Sequence, residues 1–142
     1  MAGNVVVGFD GSEGSKAALR VAVRVANAFS APLSIVFGYE PSPISGESSD
    51  LRNQLHKMGQ GHVDHAAALA AEIDPSVPVE KLVVAIRPVD SLLEAAKERD
   101  ALVIVVGASG DRPLMGAILG AVPHKLLYLA EVPVLVVPVP HE

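Results

Sequence analysis

Ala101-Leu-Val-Ile-Val-Val-Gly107-Ala-Ser-Gly110-Asp-Arg-Pro-Leu-Met-Gly-Ala-Ile-Leu-Gly120-Ala-Val-Pro-His124 joins an apolar run to a glycine-rich loop and then to a second apolar segment. The run from Ala101 to Val106 has the continuous apolar character of a strand buried on both faces. A short helix is predicted from about Ala121 to Ala130. A strand, a glycine-rich loop and a helix N-terminus in that order form an anion cradle. Glycines let backbone N–H groups approach a phosphate closely, and the first turn of the helix adds unpaired N–H groups with partial positive charge. The same spacing would also serve a plain turn between packed elements, so the rest of the chain has to decide.

Working back from this segment, the same alternation recurs. Asn4 to Phe9 is a first buried strand, closed by Asp10-Gly11-Ser12. Ser12 is placed to cap a helix whose apolar face is Leu19, Ala22, Val23, Ala26 and Phe29. Leu33 to Tyr39 is a second strand, followed by a Ser/Pro/Gly-rich surface loop from Pro41 to Asp50. A long amphipathic helix is then expected, with a stripe of Leu51, Leu55, Met58, His62, Ala66, Leu69 and Ile73. Gly59 and Gly61 weaken its middle by about 1 kcal/mol each relative to alanine. Val77 to Ala85 is a third strand whose partial alternation suits a sheet edge. Pro88 opens a third helix running to about Arg99, with Ser91 and Glu94 spaced like a capping box. The final strand is Val132 to Val137.

Strictly alternating strands and helices imply right-handed crossovers and an open parallel α/β sheet of the Rossmann-like kind, in a single domain spanning 1–142. Ligands on such sheets bind beyond the carboxyl ends of the strands, where the strand order reverses. If the strands ending at Asp10 and Gly107 are neighbours there, a carboxylate and a phosphate loop face one crevice. Asp10 can then accept from ribose hydroxyls, although Asp-Gly is also a plain turn signal.

Composition narrows the function. The absence of cysteine removes disulfides and thiolate chemistry, and the net charge of −5 without a basic cluster argues against a nucleic-acid surface. No signal peptide or membrane helix is read, so a cytoplasmic location is expected. No GxxxxGK[ST] or GxSxG motif occurs, and neither a catalytic base nor a nucleophile can be assigned, so an enzyme is not expected. His62 and His65 have a spacing that could seat a metal, but Asp64 lies on another helical face and His62 sits on the apolar stripe. A structural histidine is the simpler reading. Arg112 could clamp a phosphate or stay solvated, and His124 could donate to a nucleotide or point outward.

Three segments carry a resemblance over nearly the whole length: Val5-Val-Val-Gly-Phe-Asp-Gly-Ser-Glu-Gly-Ser15, the pattern GxxGx9G at Gly107, Gly110 and Gly120, and Pro133-Val-Leu-Val-Val137. The chain resembles the universal stress proteins, in their ATP-binding, UspA-like form. The resemblance implies the strand order 3-2-1-4-5 and ATP, with or without Mg²⁺, in a crevice of each subunit. It also implies a homodimer formed through the last strand (Val134, Leu135, Val136, Val137). Carried over by position, Asp10 would contact the ribose or adenine end with Gly8 and Phe9 beside it, and Gly38 would lie near the base. Gly107, Gly110 and Gly120 would line the phosphate path, ending at the backbone of Gly120, Ala121 and Val122. One departure stands out: the family usually follows the last glycine with Ser or Thr, where this chain has Ala121. Loss of a hydroxyl bonded to a charged phosphate implies roughly tenfold to hundredfold weaker ATP binding. An interaction module of the same fold with weak or no ATP binding, or one that holds AMP or cyclic AMP (cAMP), is the alternative.

Overall fold

The computed structural model describes residues 3–40, 49–109 and 119–139. In chain order the elements are β1 (Val5–Gly8), α1 (Glu13–Ala28), β2 (Leu33–Gly38), α2 (Ser49–Ile73), β3 (Val79–Val84), α3 (Pro88–Glu98), β4 (Val103–Gly107), α4 (Ala121–Leu129) and β5 (Val134–Val137). All neighbouring strands pair in parallel, in the order β3-β2-β1-β4-β5. β1 is central, with β2 on one side and β4 on the other, so the order reverses between β1 and β4, where Val5 faces Val103 and Val7 faces Val105.

The period of two along each strand divides the core into two layers. Val5, Val7, Leu33, Ile35 and Phe37 face α1 and α2, whereas Val6, Val36, Ile104 and Val106 face α3 and α4. Continuous valine and isoleucine runs therefore suit both faces at once. Ser12 caps α1 as expected, its Oγ accepting from Ser15 N–H at 3.2 Å. The chain leaves α1 through Ser30 at φ 52°, with Ala31 N–H returning to Ala26 O at 2.8 Å, a left-handed helix end built without glycine.

Two local expectations are corrected. The buried residues of α2 include Gly59, Val63, Ala66 and Ala70, while Leu51, Met58 and Ile73 stay exposed. The sheet-facing stripe is rotated by about one residue from the most apolar one. Small side chains let the helix sit close to the sheet, and a Cβ on Gly59 would lie 2.5 Å from Phe37 Cδ1, whereas one on Gly61 would meet open space. The capping box at Ser91 does not form. α3 begins at Pro88 with Arg87 as its N-cap, which places Ser91 inside the helix, where its Oγ donates to Pro88 O at 2.7 Å. Proline at the first helical position fixes the start four residues earlier than a Ser91 cap would.

At the amino ends of the strands a polar chain fastens the β3 edge. Asn4 Nδ2 donates to Ser34 Oγ at 2.9 Å, and Ser34 Oγ donates to Glu80 Oε1 at 2.9 Å. Arg99 grips both oxygens of Glu80, at 2.6 and 3.0 Å. The guanidinium of Arg99 holds the Glu80 carboxyl below the ordinary carboxylate range. These groups lie at the amino ends of the strands, opposite the end where β4 runs into Gly107.

Candidate functional site

Three helix N-termini, those of α1, α3 and α4, converge beyond the carboxyl ends of β2, β1 and β4 and enclose a crevice of about 240 Å³. Its floor is aliphatic: Val36, Leu92 and Val106 are all buried. An apolar slot flanked by a few polar groups suits a planar heterocycle with a polar tail. Gly8, Phe9, Asp10, Gly38, Gly107, Gly120, Ala121 and Val122 all line it. Gly110 and Arg112 lie outside the described residues.

Asp10 is exposed at the end of β1, and its Oδ1 accepts from Ser12 N–H at 2.9 Å. It therefore shapes the β1–α1 turn while its second oxygen remains for a ligand. Gly11 follows at φ 86°, and a Cβ there would press on the His62 ring at 2.6 Å. His62 is stacked on Phe37, centroids 5.4 Å apart, and meets Phe9 edge-on at 6.5 Å. It is packed among aromatic rings beneath the turn. Among the described residues, no three His, Cys, Asp or Glu side chains stand close enough to hold a metal.

At the α4 end of the crevice, one backbone donor of the sequence reading is already used. Gly120 is the N-cap of α4, and its own N–H is spent on Ala108 O at 2.8 Å. His124 N–H closes on Gly120 O at 3.1 Å, and Pro123 has none to offer. The N–H groups of Ala121 and Val122 remain, with no acceptor among the described residues. Among the described lining residues, Asp10 is the one ionisable side chain, so positive potential there comes from backbone dipoles. His124 lies beyond the crevice, edge-on to Tyr128 at 5.4 Å in a neighbouring surface groove.

Gly107 has a role that the loop motif does not reveal. A Cβ on it would lie 2.6 Å from Gly14 O and 2.7 Å from Gly14 C, and a Cβ on Gly14 would collide with Ser109 O. The first turn of α1 thus lies backbone to backbone on the end of β4. This contact brings Ser12 and Ser15 into the crevice wall opposite Ser109. The sequence reading gives no crevice role to Gly14, Ser15, Ser91 or Ser109. Ser91 had been assigned to a cap, and nothing local marks Gly14, whose partners are more than ninety residues away.

A model of the Universal stress protein family matches residues 1–138. The chain is 32% identical to the universal stress protein YxiE of Bacillus subtilis, covering 96% of this chain and 99% of the relative. It is 34% identical to the universal stress protein Rv1636 of Mycobacterium tuberculosis, covering 94% of each. A solved universal stress protein in complex with cAMP superposes with a TM-score of 0.75 at 30% identity, covering 97% of this chain and 98% of the other.

Proposed function

The chain belongs to the universal stress protein family, and from that premise we propose that its crevice binds an adenine nucleotide and that the protein acts through the bound state and partner contacts rather than turnover. The carrying observation is one crevice lined by an aliphatic floor, the Asp10 carboxylate and the N-terminus of α4, whose Ala121 and Val122 N–H groups have no acceptor among the described residues. The residues fit the parts of a nucleotide. Val36 and Leu92 would lie against the base, Asp10 would accept from the ribose, and the α4 N-terminus would receive phosphate. The glycines of the loop favour ATP, with any Mg²⁺ arriving on the nucleotide, because Asp10 is the one carboxylate among the described lining residues.

A second reading, cAMP or AMP, has its own support. Ala121 lacks the hydroxyl that would bond a terminal phosphate, the two α4 N–H groups without an acceptor among the described residues suit a single phosphate, and a relative of this fold at 30% identity was solved with cAMP. Calorimetric titration with ATP, AMP and cAMP, with and without Mg²⁺, separates the two readings. Ala121→Ser is expected to tighten ATP by roughly tenfold to hundredfold and to leave cAMP unchanged. An unaltered ATP affinity would mean that no terminal phosphate reaches α4. Absence of binding by all three nucleotides would end the nucleotide reading.

We further propose a cytoplasmic homodimer. β5 is a sheet edge made only of Val134, Leu135, Val136 and Val137, with Leu135 38% exposed, whereas the opposite edge, β3, carries Glu80 and Lys81. Charged residues blunt an edge against pairing, and an uncharged aliphatic edge invites it. Among the described residues no helix is long and apolar enough to cross a membrane. Sedimentation at micromolar concentration is expected to give a dimer, and Leu135→Lys a monomer; a monomeric wild type removes the β5 interface.

A further inference from the structure

Two serine side chains face the crevice from almost complete burial, Ser15 at 6% and Ser91 at 2% exposure. Each sits in the first turns of a helix and donates its hydroxyl proton three residues back. Ser15 Oγ donates to Ser12 O at 2.9 Å, and Ser91 Oγ to Pro88 O at 2.7 Å. With the proton committed, each oxygen offers only lone pairs. Both are acceptors fixed in an apolar wall, where an unmatched polar group is costly and a matched one selective.

Their positions differ along the groove. Ser91 stands at the β2 end, so close to Gly38 that a Cβ added to that glycine would collide with its Oγ. The free donors of α4 lie at the far end, beyond β4. A nucleotide with phosphate at α4 and ribose over Asp10 extends its base over the end of β2, against Val36, Leu92 and Ser91.

We infer that Ser91 selects the base, its Oγ accepting a hydrogen bond from the exocyclic amino group of adenine; this rests on the nucleotide reading above. Accepting leaves the bond to Pro88 intact. A carbonyl at the same position of the base, as in guanine or hypoxanthine, would have to turn the hydroxyl away from Pro88 to find a donor. Ser91 is thus a specificity residue supplied by α3, outside the glycine loop.

The test is calorimetric titration of the full chain with AMP and with purine riboside 5′-monophosphate, which lacks only the amino group. Wild type is expected to prefer AMP by about three- to tenfold, the worth of one neutral hydrogen bond. Ser91→Ala should lose that preference by weakening AMP alone. Ser91→Ala removes one buried atom, and Pro88 O still faces the Leu92 N–H within α3, so the fold is retained. A preference that survives in Ser91→Ala, an equal loss for both ligands, or a wild type that binds both equally overturns the assignment alone. A wild type that binds neither overturns the nucleotide reading and the assignment with it.

Discussion

Gly107→Ala is expected to destabilise the protein at or beyond the upper end of the about 1–3 kcal/mol typical of forcing an extra methyl group into a packed interior. The new Cβ would stand 2.6 Å from Gly14 O and 3.1 Å from Gly14 Cα. These are backbone atoms that cannot swing aside as a side chain would, so α1 must move off the end of β4. That displacement carries Ser12 and Ser15 out of the crevice wall, and nucleotide affinity should fall with stability. Gly120→Ala is the internal comparison. Its Cβ would meet Ala108 O at 3.2 Å, a contact that small shifts relieve, so its cost should be clearly smaller. Urea unfolding of the two variants decides: a Gly107→Ala midpoint equal to that of wild type would contradict the backbone contact between α1 and β4.

Leu126→Ala is expected to cost about 2–5 kcal/mol, the range for emptying a fully buried leucine site. α4 has nine residues and buries only Pro123 and Leu126; Leu126 is fully buried among Leu92, Ala95, Ile104 and Val106. A helix this short is marginal by itself and holds its place by packing. Loosening that anchor frees the N-terminus that presents the Ala121 and Val122 donors, so phosphate-dependent affinity should fall as well. Leu127→Ala, at a residue 55% exposed, is expected to stay within about 0.5 kcal/mol of wild type. If Leu126→Ala loses stability but binds nucleotide as wild type does, α4 is not the phosphate end of the crevice. If it is as stable as Leu127→Ala, Leu126 is not the anchor.

The two variants mark the boundary of what the chain discloses locally. All nine elements were legible from hydrophobic runs, spacing and punctuation, because a strand buried on both faces needs a continuous aliphatic run and a helix needs an apolar face at its own period. Asp10, Gly107 and Gly120, which line the crevice, were legible because chain reversals at strand ends require glycine and short polar side chains, whereas Gly38 entered only through the family resemblance. The rotated face of α2 was not legible. Hydrophobicity pointed to Leu51, Met58 and Ile73, but the close approach to Phe37 is decided by the small residues, among them Gly59. Ser91 was misread for a similar reason, since its spacing to Glu94 matches a cap while Pro88 starts the helix first.

By itself, then, the sequence determined a parallel α/β domain with a glycine-rich loop before its last helix, since these features depend on residues close together in the chain. Only the tertiary structure decided why Gly107 must be glycine, that the Gly120 N–H is already taken by Ala108, and that Ser15 of α1 and Ser91 of α3 line one crevice. Each of these depends on which segments meet once the strands are ordered, and the energy of such contacts resides in distances between residues that the sequence keeps far apart.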